Sequence, residues 1–207
     1  MDPYYPITLR LAGKKIIVVG GGKVAERKIK GLIGTKADIT VVSPEVSTKI
    51  NKLAAAGEVN WLAKTFAIED IKGAFMIFAA TNDRDLNQAI KIAAEAHQLV
   101  TIADDPEGSN FQVPAKVQRG RLTIAVSTGG ASPTLARNIK AQLEQEFDDR
   151  YDDYLEFLFQ ARQQIVQEVA DPSLKRKLLK AIASPAFFTS KSRQTDLLAL
   201  YKNLTQN

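Results

Sequence analysis

The chain has 207 residues, 45% of them hydrophobic and 25% charged, with no cysteine and a formal net charge of +5. That length accommodates one large domain, or a nucleotide-sized domain with a smaller appendage, and the composition is that of an ordinary globular protein. The lack of Cys excludes disulfides and thiolate metal sites, while the basic balance suits nucleic acid or a polyanionic small molecule and otherwise means solvated Lys and Arg.

The first residues, 1–13, read as an extended lead-in. Pro3 and Pro6 oppose helix, and Ile7, Leu9 and Leu11 alternate as in a half-buried strand that Gly13 closes. The opening MDPYYPITLRLAGKK lacks a basic region followed by an apolar core, and no later stretch reaches the length of a membrane span. A cytoplasmic protein without a membrane partner is therefore expected. Ile16 to Val19 then form an apolar, β-branched run of the kind buried on both faces of a parallel sheet. Gly20, Gly22 and Ala25 follow it in the G-x-G-x-x-G/A pattern: a tight turn, a close approach for a pyrophosphate, and close helix-to-sheet packing. Val24, Ile29, Leu32 and Ile33 give the next helix its apolar stripe, and Asp38 to Val42 is the second strand of a β-α-β unit. In this context the helix N-terminus is a dinucleotide site; the alternative is that the glycines only make a turn. Where an acidic residue usually holds the adenosine ribose stands Ser43, with Glu45 the nearest carboxylate and no Arg for a 2′-phosphate, which favours NAD over NADP.

Ser43-Pro44-Glu45 also resembles a helix start, predicting a helix to Ala56 that Gly57 stops. Val59–Ala63, Ala74–Ala79 and Val100–Ala103 are the third to fifth strands, and Asp85–Gln98 is a helix turning Leu86, Ile90, Ile92 and Ala93 to the sheet. This alternation predicts a Rossmann-like, doubly wound parallel α/β sheet, whose ligands bind beyond the carboxyl ends of its strands. The rule selects the glycine loop, Thr81-Asn82-Asp83 and Asp104-Asp105. Thr81 and Asn82 either hydrogen-bond the cofactor or cap the helix, and the paired aspartates are where a general base would stand.

Beyond Phe111 the pattern changes. Phe111–Val117 and Leu122–Val126 read as a hairpin turned at Arg119-Gly120, and Ser132 and Pro133 cap and start a helix to Phe147. The preceding Ser127-Thr128-Gly129-Gly130-Ala131 run is a second anion site or a plain capped loop. Residues 148–207 are expected to be all helical, divided by Pro172 and Pro185 into about three helices; Lys175-Arg176-Lys177 is a solvated face or a phosphate contact. The single histidine, His97, reads as structural, and no metal site is predicted.

These motifs together resemble the precorrin-2 dehydrogenase family, NAD-dependent enzymes of sirohaem and cobalamin synthesis that also form the N-terminal module of multifunctional sirohaem synthases. The resemblance runs from Tyr5 to Leu143 and rests on VVGGGKVAERK, TVVSPE, AATNDRDLN, ADDPEGSNFQVPA and VSTGGASPTLAR, in that order. It implies oxidation of precorrin-2 to sirohydrochlorin with hydride passing to NAD+, and, in members that also chelate, insertion of Fe2+ in the same cleft. It further implies that Gly20, Gly22, Lys23 and Val24 contact the pyrophosphate side of NAD, Ser43, Pro44 and Glu45 the adenosine side, and Thr81 and Asn82 the nicotinamide side. Asp104 is implied as proton acceptor or orienting group, with Asp105, Ser127, Thr128, Gly129, Gly130 and Ser132 at the cleft for a carboxylate-rich macrocycle. Thr128 stands where some relatives carry Ser. The implied organisation is an NAD-binding domain over 1–110, a small α+β region over 111–147 that pairs two copies, and a helical C-terminal domain over 148–207. A non-catalytic NAD-sensing module is the reading from a different class; tetrapyrrole binding separates the two.

Overall fold

The computed structural model describes residues 4–205. Five strands, β1 (Lys15–Val19), β2 (Asp38–Val42), β3 (Asn60–Leu62), β4 (Met76–Ala79) and β5 (Leu99–Ile102), form one parallel sheet in the order β3-β2-β1-β4-β5. β1 is central, and its alternation sorts its side chains into two layers. Ile16 and Val18 pack with Ala25, Ile29 and Leu32 of α1 (Lys23–Leu32) and with Ile50 of α2 (Thr48–Ala55); Ile17 and Val19 pack on the opposite face with Ile77 and with Ile90 of α3 (Arg84–Ala93). A strand covered on both sides must be apolar throughout, which is why IIVV carries no alternation.

Several expected boundaries are corrected. Residues 4–12 form no strand: Tyr5, Ile7 and Leu9 are exposed and only Leu11 packs on the core, while the expectation for Pro3 falls outside the described residues. Ser43 and Pro44 do not start α2. Ser47 caps it, accepting from the Ile50 N–H at 3.3 Å, because the Ser43 hydroxyl is donated to the Glu45 carbonyl and curls the chain over the glycine loop, where Ser47 N–H meets the Gly21 carbonyl at 2.9 Å. α3 ends at Ala93, so Gln98 is not helical; its buried carboxamide donates to the carbonyls of Ile71 and Ala74 and accepts from the Glu95 N–H. Ile92 is 82% exposed, since Leu86, Ile90 and Ala93 share one helical stripe and Ile92 lies off it.

β5 borders the sheet, and the chain folds back along its outer side. Asn110 accepts from the Val100 N–H, donates its own N–H to the Val100 carbonyl and gives its amide to the Gln98 carbonyl, while the Ser109 hydroxyl accepts from the Ile102 N–H. This first compact unit ends at Val113.

The second unit begins at Pro114. β6 (Ala115–Arg119) and β7 (Leu122–Val126) form the antiparallel hairpin, shorter at its start than expected because Phe111 instead packs edge-on against Phe78, 5.6 Å between ring centres. α4 (Pro133–Glu146) lies on it, followed by α5 (Arg150–Glu168), α6 (Pro172–Ile182), α7 (Pro185–Thr189) and α8 (Arg193–Thr205). Among the described residues the tail holds four helices rather than about three. Pro172 and Pro185 begin helices as expected, and a further break falls at Ser190–Ser192, where the Ser190 hydroxyl turns to Asp196. Tyr154, Ala161, Ile165, Leu178, Ile182 and Leu197 form the core of this helical part. Among the described residues no helix is long and apolar enough to cross a membrane.

Candidate functional site

A cleft of about 530 Å³ opens at the carboxyl ends of β1, β2 and β4, around the point where the strand order reverses. Gly20, Gly22, Lys23, Val24, Ser43, Pro44, Thr81 and Asn82 all line it. Glu45 does not; its carbonyl instead lies against Gly21.

Each glycine of the loop answers a different demand. Gly20 has φ +116°, and a Cβ there would overlap the Ala80 carbonyl oxygen. At Gly21 a Cβ would overlap the Glu45 carbonyl oxygen and lie 2.8 Å from Val46 Cα, so the middle glycine carries the closest backbone approach in the loop. At Gly22 nothing lies within 4 Å of a Cβ. Gly22 caps α1 without a side-chain hydrogen bond, so the first-turn N–H groups and the positive end of the helix face open space beside Lys23. An open glycine, an uncapped helix start and a cation suit the pyrophosphate of a dinucleotide.

Two further parts of the site escaped sequence reasoning. Thr65 and Phe66, after β3, also line the cleft; nothing in their sequence context marks them. Asn87 did carry a signal, being a polar residue beside Ile90 on the inward side of α3. It is 0% exposed and uses its whole carboxamide: Oδ1 accepts from the Thr81 N–H at 3.3 Å and lies 2.8 Å from Thr81 Oγ1, while Nδ2 donates to the Thr81 carbonyl at 3.2 Å and to Asp104 Oδ1 at 3.0 Å. Asp83, not Thr81 or Asn82, is the cap of α3.

Asp104 and Asp105 point their carboxylates to different partners. Asp104 is 40% exposed at its side chain and has Arg84 Nε 3.7 Å from Oδ2. Asp105 accepts from Gln88 Nε2 and from the Gly108 N–H, with Lys91 Nζ at 3.7 Å. The Gln88 hydrogen bond, then that of Gly108, holds the Asp105 carboxyl below the usual carboxylate range. A lowered value means that Asp105 stabilises its loop fully above the ordinary carboxylate range near pH 3.9, and that this contribution is lost as pH falls through the lowered value. Amide exchange at Gly108 is therefore expected to lose protection as pH falls below the ordinary carboxylate range in the wild type, and Asp105→Asn should abolish that pH dependence.

In the second unit, Ser127 to Ser132 form a self-bonded turn. The Ser127 hydroxyl accepts from the Gly129 N–H, Thr128 Oγ1 accepts from the Ser132 N–H and donates to its carbonyl, and Ser132 caps α4 by accepting from the Leu135 N–H. With Pro133 at the first position, this helix start has fewer free donors than that of α1. His97 is exposed, 3.5 Å from Glu95, and no group of three metal-ligating side chains occurs among the described residues.

A parallel sheet with this glycine cradle at its switch point defines an NAD-binding Rossmann-type protein. A model described as putative NAD(P)-binding matches residues 7–115, one for the sirohaem biosynthesis protein central region matches 119–146, and one for the SirC C-terminal domain matches 151–197. The chain is 39% identical over 194 residues to precorrin-2 dehydrogenase of Priestia megaterium, covering 94% of this chain and 96% of that protein. It is 40% identical over 142 residues to siroheme synthase 3 of Aeromonas hydrophila, covering 68% of this chain and 30% of that longer protein. A solved structure of SirC, precorrin-2 dehydrogenase, matches with a TM-score of 0.84 at 38% identity, over 97% of this chain and all of that one. The chain belongs to the precorrin-2 dehydrogenase family.

Proposed function

We propose that this chain is an NAD-dependent precorrin-2 dehydrogenase, which removes a hydride and a proton from precorrin-2 to give sirohydrochlorin for sirohaem synthesis. The observation that carries the reading is the buried Asn87 link between Thr81, on the wall of the dinucleotide cleft, and the carboxylate of Asp104. It puts a candidate proton acceptor beside the cofactor cleft of a family member whose relatives are named for this activity. Bound NAD+ supplies the hydride acceptor. Gly22, the start of α1 and Lys23 hold its pyrophosphate, Ser43 and Pro44 flank its adenosine, and Thr81 and Asn82 its nicotinamide. Asp104 takes the proton lost from the macrocycle, with Asp105 next to it on the same turn.

The protein acts in the cytoplasm as a homodimer paired through the middle region. The hairpin supports this: among the described residues β6 and β7 pair only with each other, and although α4 lies on the hairpin, Lys116, Gln118, Thr123 and Ala125 remain exposed and both strand edges are unpaired. The test is anaerobic mixing of the protein with precorrin-2 and NAD+, followed by the absorbance of reduced nicotinamide and of the tetrapyrrole. Stoichiometric reduced nicotinamide and sirohydrochlorin are expected; tetrapyrrole binding without either product would overturn the reading. A parallel run with sirohydrochlorin and Fe2+ or Co2+ reports chelation separately.

A further inference from the structure

The proposed reaction leaves open what keeps Asp104 in register with the cofactor. A carboxylate on the short turn after β5, 40% exposed, has no packing of its own to fix it. The structure supplies one buried group that touches both sides. Asn87 comes from the second turn of α3, is fully buried, and reaches the ends of β4 and β5 at once. Its orientation is not a matter of choice. The Thr81 N–H can only donate, so Oδ1 must face it, and Nδ2 must then face Asp104. An amide N–H in turn can only donate, so Asp104 Oδ1 must remain an acceptor. Among the described residues the other oxygen, Oδ2, meets only Arg84, at 3.7 Å.

We infer that Asn87 is a positioning residue: its carboxamide ties the cofactor-side loop at Thr81 to Asp104 and reserves Oδ1 as an acceptor, so that Oδ2 is the oxygen that takes the substrate proton. This rests on the reading of Asp104 as proton acceptor. It explains why a polar side chain occupies a fully buried place on α3, where an unpartnered amide would be costly. The charged groups around Asp104 are Arg84, on α3, and the neighbouring Asp105, itself engaged by Gln88, Gly108 and Lys91. All of them are kept in the variants below.

The test compares full-length Asn87→Asp, Asn87→Ser and Asp104→Asn with the wild type, recording kcat and the KM for NAD+ against pH with precorrin-2, and thermal unfolding. Asn87→Asp keeps an acceptor for Thr81 but sets a second carboxylate against Asp104 Oδ1. Asn87→Ser is smaller, avoids that charge, and carries the test if the first variant fails to fold. Losing a donor or gaining a like charge makes a carboxylate hold its proton to higher pH, so the acidic limb of kcat is expected to move to higher pH, with kcat at neutral pH roughly tenfold lower. A merely structural Asn87 would lower the unfolding temperature and leave the limb where it is. A folded Asn87 variant with the wild-type limb and kcat, alongside an inactive Asp104→Asn, would overturn the inference and leave Asp104 as the base. Wild-type turnover in Asp104→Asn would instead remove the base, and the inference with it.

Discussion

Asp104→Ala is expected to lower kcat for reduced-nicotinamide formation from precorrin-2 by about 10²–10⁴-fold, the range over which a positioned proton acceptor contributes, while the Kd for NAD+ stays within a few-fold of the wild type. The two readouts separate because Asp104 does not line the dinucleotide cleft; it meets that cleft only through Asn87 and Thr81. The ion pair with Arg84, at 3.7 Å and 80% exposed on the Arg side, is of the solvent-screened kind, so the stability cost comes from the buried Asn87 Nδ2 that loses its Asp104 acceptor, about 1–3 kcal/mol. Stopped-flow single turnovers with fluorescence titration of NAD+ would supply both numbers. Full turnover in the folded variant would take the proton-acceptor role away from Asp104.

A second result is expected from adjacent glycines. Gly21→Ala sets a Cβ into the Glu45 carbonyl oxygen and 2.8 Å from Val46 Cα, and both obstacles are backbone that no rotamer change relieves. The expected cost is about 3 kcal/mol, equivalent to a fall in Tm of roughly 10 °C or more, with NAD binding lost as the loop parts from residues 43–47. Gly22→Ala meets nothing within 4 Å and has an ordinary negative φ of −89°, so the fold should be untouched. Its methyl group, however, would occupy the open space proposed above for the pyrophosphate, and the Kd for NAD+ is expected to rise about tenfold or more. Differential scanning calorimetry with and without NAD+ distinguishes the two. Equal melting of both variants would show that the middle glycine is not sterically required.

The contrast between these glycines marks what was legible in the sequence. The pattern Gly20, Gly22, Ala25 marked a turn and helix start of which Gly20 and Gly22 line the cleft, because period, turn and helix start are local properties, and the buried strand before them could be recognised from its unbroken run of β-branched residues. Gly21 stood at a position the pattern leaves free. Its obligation arises from residues 45 and 46, which return over the loop only because the Ser43 hydroxyl turns the chain there. The same hydroxyl explains why Ser43-Pro44 misled as a helix start: both residue types suit a cap, and the competing bond to Glu45 depends on tertiary packing. Asn87 went unread although it is a polar residue on an inward helical face, because its partners lie 6 and 17 residues away beyond the ends of two other strands. Ile92 was misassigned because counting apolar residues without their helical phase cannot tell a stripe from its flank.

The back-folded Ser109 and Asn110 have a bearing on how this protein meets other proteins. Sheet borders ordinarily expose a row of backbone donors and acceptors that invites another chain to dock, and the short β3 at one side already limits that risk to three residues. At the β5 side the invitation is withdrawn by the chain itself, since the outward-facing amides of Val100 and Ile102 and the carbonyls of Gln98 and Val100 are all spoken for. A substitution such as Asn110→Ala would reopen that border, so the nucleotide-binding half would turn from a self-sealed body into one prone to clump with its own kind.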